Sequence, residues 1–215
     1  VLDARIVLTT ETIAGIPTLI MLPDSAVHCP LVFWIPGYGQ GKESGLSLGY
    51  KLAQAGCAFV AIDPRWHGER YDRRLFDAAE PALGGVYPAD SGLDVWLTFC
   101  TVIGQCLEDM RTLLAHYAGD ERLDAGRCAV TGPSMGGYAS FLIFANLPRM
   151  AAAVPMIGIP TFTRRWTDLL DECAFSNPQW AAALAQMQDQ VQAHTRQIEA
   201  IDPAAQLLAA VPRAL

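Results

Sequence analysis

Apolar residues in this chain fall into short unbroken runs separated by glycine- and proline-bearing turns, followed by longer stretches with helical spacing. Leu2 to Thr10 and Ile16 to Leu22 alternate or cluster β-branched residues around Gly15, which predicts an opening antiparallel hairpin ended by Pro23 and Asp24. The run Leu31 to Pro36 (LVFWIP) predicts a short buried strand. A glycine-rich turn and an amphipathic helix over Leu46 to Ala55 follow, the helix stopping at Gly56. Cys57 to Asp63 (CAFVAID) is a second buried strand. Strand, helix, strand, with strands apolar on both faces, is the pattern of a parallel sheet covered by helices.

Glu69 to Ser91 is rich in Arg, Asp, Gly and Pro and reads as an irregular excursion at one end of the sheet. From Trp96 the positions Phe99, Ile103, Cys106, Met110, Leu113 and Tyr117 recur at three- and four-residue spacing, which predicts a long helix ending near Gly119. Arg127 to Gly132 (RCAVTG) predicts another buried strand. It leads through PSMGG into an apolar helix over Gly136 to Asn146, and then into a strand over Ala151 to Gly158. Beyond Pro160 the spacing turns helical, over Thr163 to Glu172 and along a Gln- and Ala-rich stretch from Asn177 to Ile201. Asp202 and Pro203 open a short last helix through Ala210, and Val211 to Leu215 resembles the first residues of a further strand. The expected fold class is α/β, a mostly parallel, doubly wound sheet with a helical cap insertion. Residues 1–160 form the core, 161–202 the cap, and 203–215 a return to the core.

Composition narrows the partners. With 52% apolar and 17% charged residues in 215, the chain can bury a sizeable core. Its net charge of −7 is scattered and no basic stripe is present, which argues against nucleic acid. The longest apolar stretch, Met150 to Pro160, falls short of the roughly 20 residues a membrane helix needs. The first ten residues show no secretory signal, which points to the cytoplasm. Cys29, Cys57, Cys100, Cys106, Cys128 and Cys173 contain no CxxC pair and no clustering with His, so buried reduced thiols are expected and no metal or cofactor is called for.

Three segments carry chemistry. GPSMGG, residues 132–137, fits the GxSxG nucleophile elbow, in which a tight strand-to-helix turn lifts a serine hydroxyl out of the sheet. The competing reading is a glycine-rich helix start with Ser134 as its cap. PGYGQGKE, Pro36 to Glu43, lies in the earlier strand-to-helix loop. Acyl transfer needs two backbone N–H donors for a developing oxyanion, one after the nucleophile and one from this loop, which singles out the amides of Met135 and Tyr38. A phosphate loop is a poor alternative, since GYGQGK lacks the GxxxxGK[ST] spacing. The third segment is DPRWHGER, Asp63 to Arg70.

Together, and in this order, the three resemble the α/β-hydrolase superfamily, specifically its prolyl-oligopeptidase-like and dienelactone-hydrolase-like esterase branch. That branch has an Asp, two or three residues, then a His-Gly turn where this chain has Asp63 to Gly68, and commonly a His where this chain has Pro36. The resemblance implies a serine hydrolase acting on ester, peptide or amide bonds through an acyl-enzyme at Ser134. It also implies that His67 orients loops and is not the general base. A serine needs a base and the base an orienting carboxylate. In this family both follow the serine, after the seventh and eighth strands, which places them in a tail of roughly 40–60 residues past Leu215.

Downstream of Ser134 the only histidine is His194, in a polar cap-like stretch that is a poor platform for a base. Asp168, Asp171, Glu172, Asp189, Glu199 and Asp202 read as solvated faces or caps. The 215-residue chain is therefore read as truncated, and is expected to hydrolyse p-nitrophenyl acetate very slowly or not at all. Two alternatives are a catalytically silent hydrolase fold used for binding, and a half-enzyme completed by another chain. Without further strands the segment Met150 to Gly158 would be an exposed sheet edge, which a homo-oligomer could cover.

Overall fold

The computed structural model describes residues 5–71, 87 and 93–210. The chain divides into two compact units, one of residues 1–71 and 103–159, the other of residues 72–102 and 160–215.

The first unit is built on a six-stranded sheet of β1 (Ile6–Ile13), β2 (Ile16–Pro23), β3 (Cys29–Trp34), β4 (Ala58–Ile62), β5 (Leu123–Pro133) and β6 (Met150–Met156), in the order β1-β2-β4-β3-β5-β6. β1 and β2 form the hairpin expected around Gly15, with Ile13 opposite Ile16, and β2 runs antiparallel to β4. From β4 through β3 and β5 to β6 every pairing is parallel. The parallel strands are those with unbroken apolar runs. All five β4 residues are fully buried, as are Leu31, Phe33 and Ile35 in and just after β3, because helices and neighbouring strands leave them no wet face.

Helix α1 (Leu46–Gln54) covers one face. Its residues Leu48, Leu52 and Ala53 pack with Leu19, Met21, Trp34, Phe59 and Ala61. Close approach is possible because α1 carries Gly49 over the Phe59 ring; a Cβ there would lie within 2.7 Å of the ring's Cε1. Helix α2 (Leu93–Tyr117) has Ile103, Cys106, Met110 and Leu113 fully buried, at the spacing read from sequence. Helix α3 (Met135–Asn146) springs from the end of β5 and packs on β5 and β6. β6 lies at the edge of the described sheet with Val154 60% exposed, and Ile157 just beyond it is 86% exposed.

The described residues of the second unit are mostly helical: the first part of α2, then α4 (Phe162–Ser176), α5 (Pro178–Gln186), α6 (Gln188–Ile201) and α7 (Ala204–Ala210). The stretch expected as one helix from Asn177 is broken at Met187. Asn177 caps α5 by accepting from the Gln179 amide, with Pro178 at the first helical position. Asp202 accepts from the amides of Thr163 and Ala204, tying the start of α4 to the start of α7. An aromatic core lies inside this unit: Trp96 stacks on Phe99 and meets Phe162 edge-on, Tyr87 meets Trp166 edge-on, and Trp166 donates to Thr195. Val211 to Leu215 lies outside the described residues, as does most of the excursion at Glu69 to Ser91. Among the described residues no helix is long and apolar enough to cross a membrane.

Candidate active site

β5 ends at Pro133 and α3 begins at Met135, so the chain must turn from strand to helix at one residue, Ser134. That residue has φ 50° and ψ −114°, a conformation L-residues rarely adopt, and its side chain is exposed. It makes no side-chain cap bond to the helix, which removes the capping explanation for a serine at this position. The turn is held by the Ser134 amide donating to the Met156 carbonyl at 2.8 Å and by the Tyr138 amide donating to the Ser134 carbonyl at 3.1 Å.

The glycines explain how the turn fits. A Cβ on Gly132 or on Gly136 would overlap the Ile35 carbonyl oxygen, and one on Gly136 would also lie 3.2 Å from the Pro36 oxygen. The elbow is therefore wedged against the end of β3, where the second glycine-rich loop begins. The glycines of the GxSxG spacing are in this sense a packing requirement.

That second loop turns at Gly37 to Gln40, with the Gln40 amide donating to the Gly37 carbonyl and Gly39 at φ +75°. A Cβ on Gly37 would lie 3.6 Å from the Pro133 oxygen, so this loop borders the elbow. The structure thus brings the segments bearing Ser134, Met135 and Tyr38 together at the C-terminal end of the parallel strands. Met135 is fully buried under the elbow, whereas Tyr38 is 44% exposed with its ring 5.2 Å from that of His67, edge to face.

His67 is buried, and its Nδ1 lies 2.9 Å from the Arg65 carbonyl. Burial lowers its pKa below the usual imidazole value, against the raising effects of the Arg65 carbonyl and the Asp63 charge. The ring lies edge to face with that of Tyr38. His28 precedes β3 and His116 lies in the last turn of α2, before β5; both are at the strand-start edge of the sheet, opposite the elbow. In the helical unit, His194 Nδ1 lies 2.8 Å from the Tyr87 hydroxyl; burial lowers its pKa, with Asp94 opposing.

Sequence reasoning missed a charged cluster beside the Tyr38 loop. Lys42 is 1% exposed, and its ammonium contacts Asp63 at 2.9 Å, Glu69 at 2.5 Å and Glu43 at 3.0 Å. Burial alone would lower its pKa, but the hydrogen bonds its ammonium donates to Glu69, Asp63 and Glu43 outweigh that and hold it above the usual lysine value. The available signal was a lysine inside a glycine-rich loop with an aspartate closing the next apolar strand.

The parallel sheet, the sharp turn at its fifth strand and the loop bordering that turn define an α/β-hydrolase fold. No family model matches the chain. A curated relative from Bacillus subtilis (strain 168), named "Putative esterase YitV", is 26% identical over 163 residues, covering 75% of this chain and 58% of that protein. Solved structures share the fold. One titled as a putative dienelactone hydrolase from Klebsiella pneumoniae subsp. pneumoniae has a TM-score of 0.51 at 22% identity, over 70% of this chain and 59% of that one. The 2,6-dihydroxy-pseudo-oxynicotine hydrolase has a TM-score of 0.50 at 17% identity, over 72% of this chain and 37% of that one. TT1662 from Thermus thermophilus has a TM-score of 0.50 at 20% identity, over 72% of this chain and 60% of that one. The chain spans less than two thirds of the length of each of these proteins.

Proposed function

We propose that the protein is a serine hydrolase of carboxylesterase type, in which Ser134 attacks the carbonyl of an ester or amide substrate. The observation carrying this reading is the exposed, uncapped serine at φ 50° on a strand-to-helix turn. No packing need explains an L-residue there, and a hydroxyl presented for attack does. The amides of Met135 and Tyr38 then stabilise the oxyanion. The Met135 amide is free of intrahelical bonding because it opens α3, and the field of that helix favours negative charge at the same place. Relatives named as an esterase and as hydrolases support the same class.

Attack forms an Oγ–acyl bond as the alcohol or amine leaves; water later cleaves the acyl group from the serine. The proton of Oγ must pass to a base. In this reading the base and its carboxylate follow Ser134 in chain order, and neither His67 nor His194 serves, since Nδ1 of His67 meets the Arg65 carbonyl and Nδ1 of His194 the Tyr87 hydroxyl where a catalytic base has its orienting carboxylate.

Incubation with a fluorophosphonate followed by peptide mass analysis tests the assignment. A single adduct on the peptide containing Ser134, lost in Ser134→Ala, is expected. Labelling that persists in the variant, or a protein that never forms the adduct, refutes the assignment, and the second result leaves a binding scaffold as the better account.

A further inference from the structure

We infer that Lys42 is a positioning residue: with Asp63 and Glu69 it clamps the Tyr38 loop in the geometry an oxyanion donor requires. This rests on the nucleophile reading of Ser134 and extends it to how the first oxyanion donor is held.

Lys42 lies four residues after Tyr38, at the point where the glycine-rich loop enters α1 through a short 3₁₀ turn, Lys42–Gly45. Asp63 follows β4, 21 residues away, and is fully buried. Its two carboxylate oxygens join the loops. Oδ1 accepts from the Lys42 amide at 2.7 Å; Oδ2 accepts from Lys42 Nζ at 2.9 Å and from the Glu69 amide at 2.9 Å. Gly68, at φ +53°, lets this happen, because any Cβ there would overlap the Asp63 carboxylate. Arg70 extends the clamp, donating to the Asp63 carbonyl at 3.2 Å and pairing with Asp109 of α2.

A buried ion pair is an expensive way to join two loops, since desolvating both charges offsets most of their attraction and apolar residues of similar size would serve as well. What the charges provide is direction: backbone and side-chain donors of one residue converge on one carboxylate, which fixes the loop in rotation as well as distance. Oxyanion stabilisation demands that, because a donor displaced by about 1 Å costs on the order of 10²-fold in rate.

Two reactions at position 134 separate positioning from general damage. Phosphonylation of Ser134, in which Oγ displaces fluoride from phosphorus and its proton goes to solvent, develops charge on the phosphoryl oxygen and uses the oxyanion donors. Alkylation of a Ser134→Cys thiolate by iodoacetamide displaces iodide at carbon and does not. Lys42→Met is expected to slow phosphonylation by roughly 10²-fold and to change alkylation, measured in the Ser134→Cys background, by less than about twofold.

Equal slowing of both reactions overturns the inference in favour of a merely structural role. Reaction of Ser134 at the parent rate in Lys42→Met overturns it too, while leaving the nucleophile reading intact. A parent protein that forms no phosphonate adduct removes both. Should Lys42→Met fail to fold, Glu69→Gln changes only a largely exposed carboxylate and must still slow phosphonylation selectively, by roughly threefold; an unchanged ratio of the two rates in that variant overturns the inference.

Discussion

A thiol in place of the Ser134 hydroxyl would stand exposed at the N-terminus of a twelve-residue helix, a setting that lowers thiol pKa values. Five of the native thiols are in the opposite situation. Burial raises Cys57 and Cys173 and pushes Cys100 to about 12 and Cys128 to about 11, and Cys106, wholly buried, is raised further still. The Ser134→Cys variant is therefore expected to take up one equivalent of iodoacetamide at mildly alkaline pH at least tenfold faster than any native cysteine. Peptide mapping that finds a native cysteine reacting first would contradict the exposed-elbow geometry. The turns that carry Ser134, Met135 and Tyr38 were legible in sequence because GPSMGG and PGYGQGKE are local patterns whose glycines and flanking strands mark a strand-to-helix turn on their own. Lys42 with Asp63 was not, because their meeting depends on how two loops 21 residues apart are folded onto each other.

Elements were legible in proportion to how purely their burial followed a period. LVFWIP and CAFVAID read as strands because both faces are covered. β5 proved longer than RCAVTG, reaching back to Leu123 through Asp124, Gly126 and Arg127, residues whose polarity reflects a wet strand end with a register shift against β3. α1 was found, yet nothing in its sequence reveals why it contains Gly49. Helix propensity alone predicts that Gly49→Ala stabilises α1 by about 1 kcal/mol; the overlap with Phe59 reverses the sign, and a net loss of about 2 kcal/mol is expected in denaturant unfolding. Combining it with Phe59→Leu should restore part of that loss, a coupling of at least ~1 kcal/mol, and strict additivity of the two changes would show that the ring is not the obstacle.

For the molecule as a whole, strand order was the least legible feature. Nothing along the chain states that β4 sits between β2 and β3, because that order is chosen by twist, crossover handedness and the fit of helices over the sheet. Acid sensitivity is a property of the same scale. An unfolded His67 titrates near 6.5, whereas burial keeps the folded ring neutral to lower pH. The unfolded chain then binds a proton that the folded one refuses, so stability present above 6.5 is lost as pH falls from there toward the folded value. His194 adds a change of the same sign. Melting temperatures should accordingly fall from neutral to mildly acidic pH, and the slope should flatten in His67→Asn; an unchanged slope in that variant would remove His67 from the account.

The backbone at position 134 has a further consequence for how this sequence can drift. Strain of this kind is worth on the order of 1–3 kcal/mol, and glycine would relieve most of it. A lineage selected for heat tolerance alone would drift to glycine there and become sturdier. If Ser134 is the proposed nucleophile, serine at that spot trades robustness for reactivity.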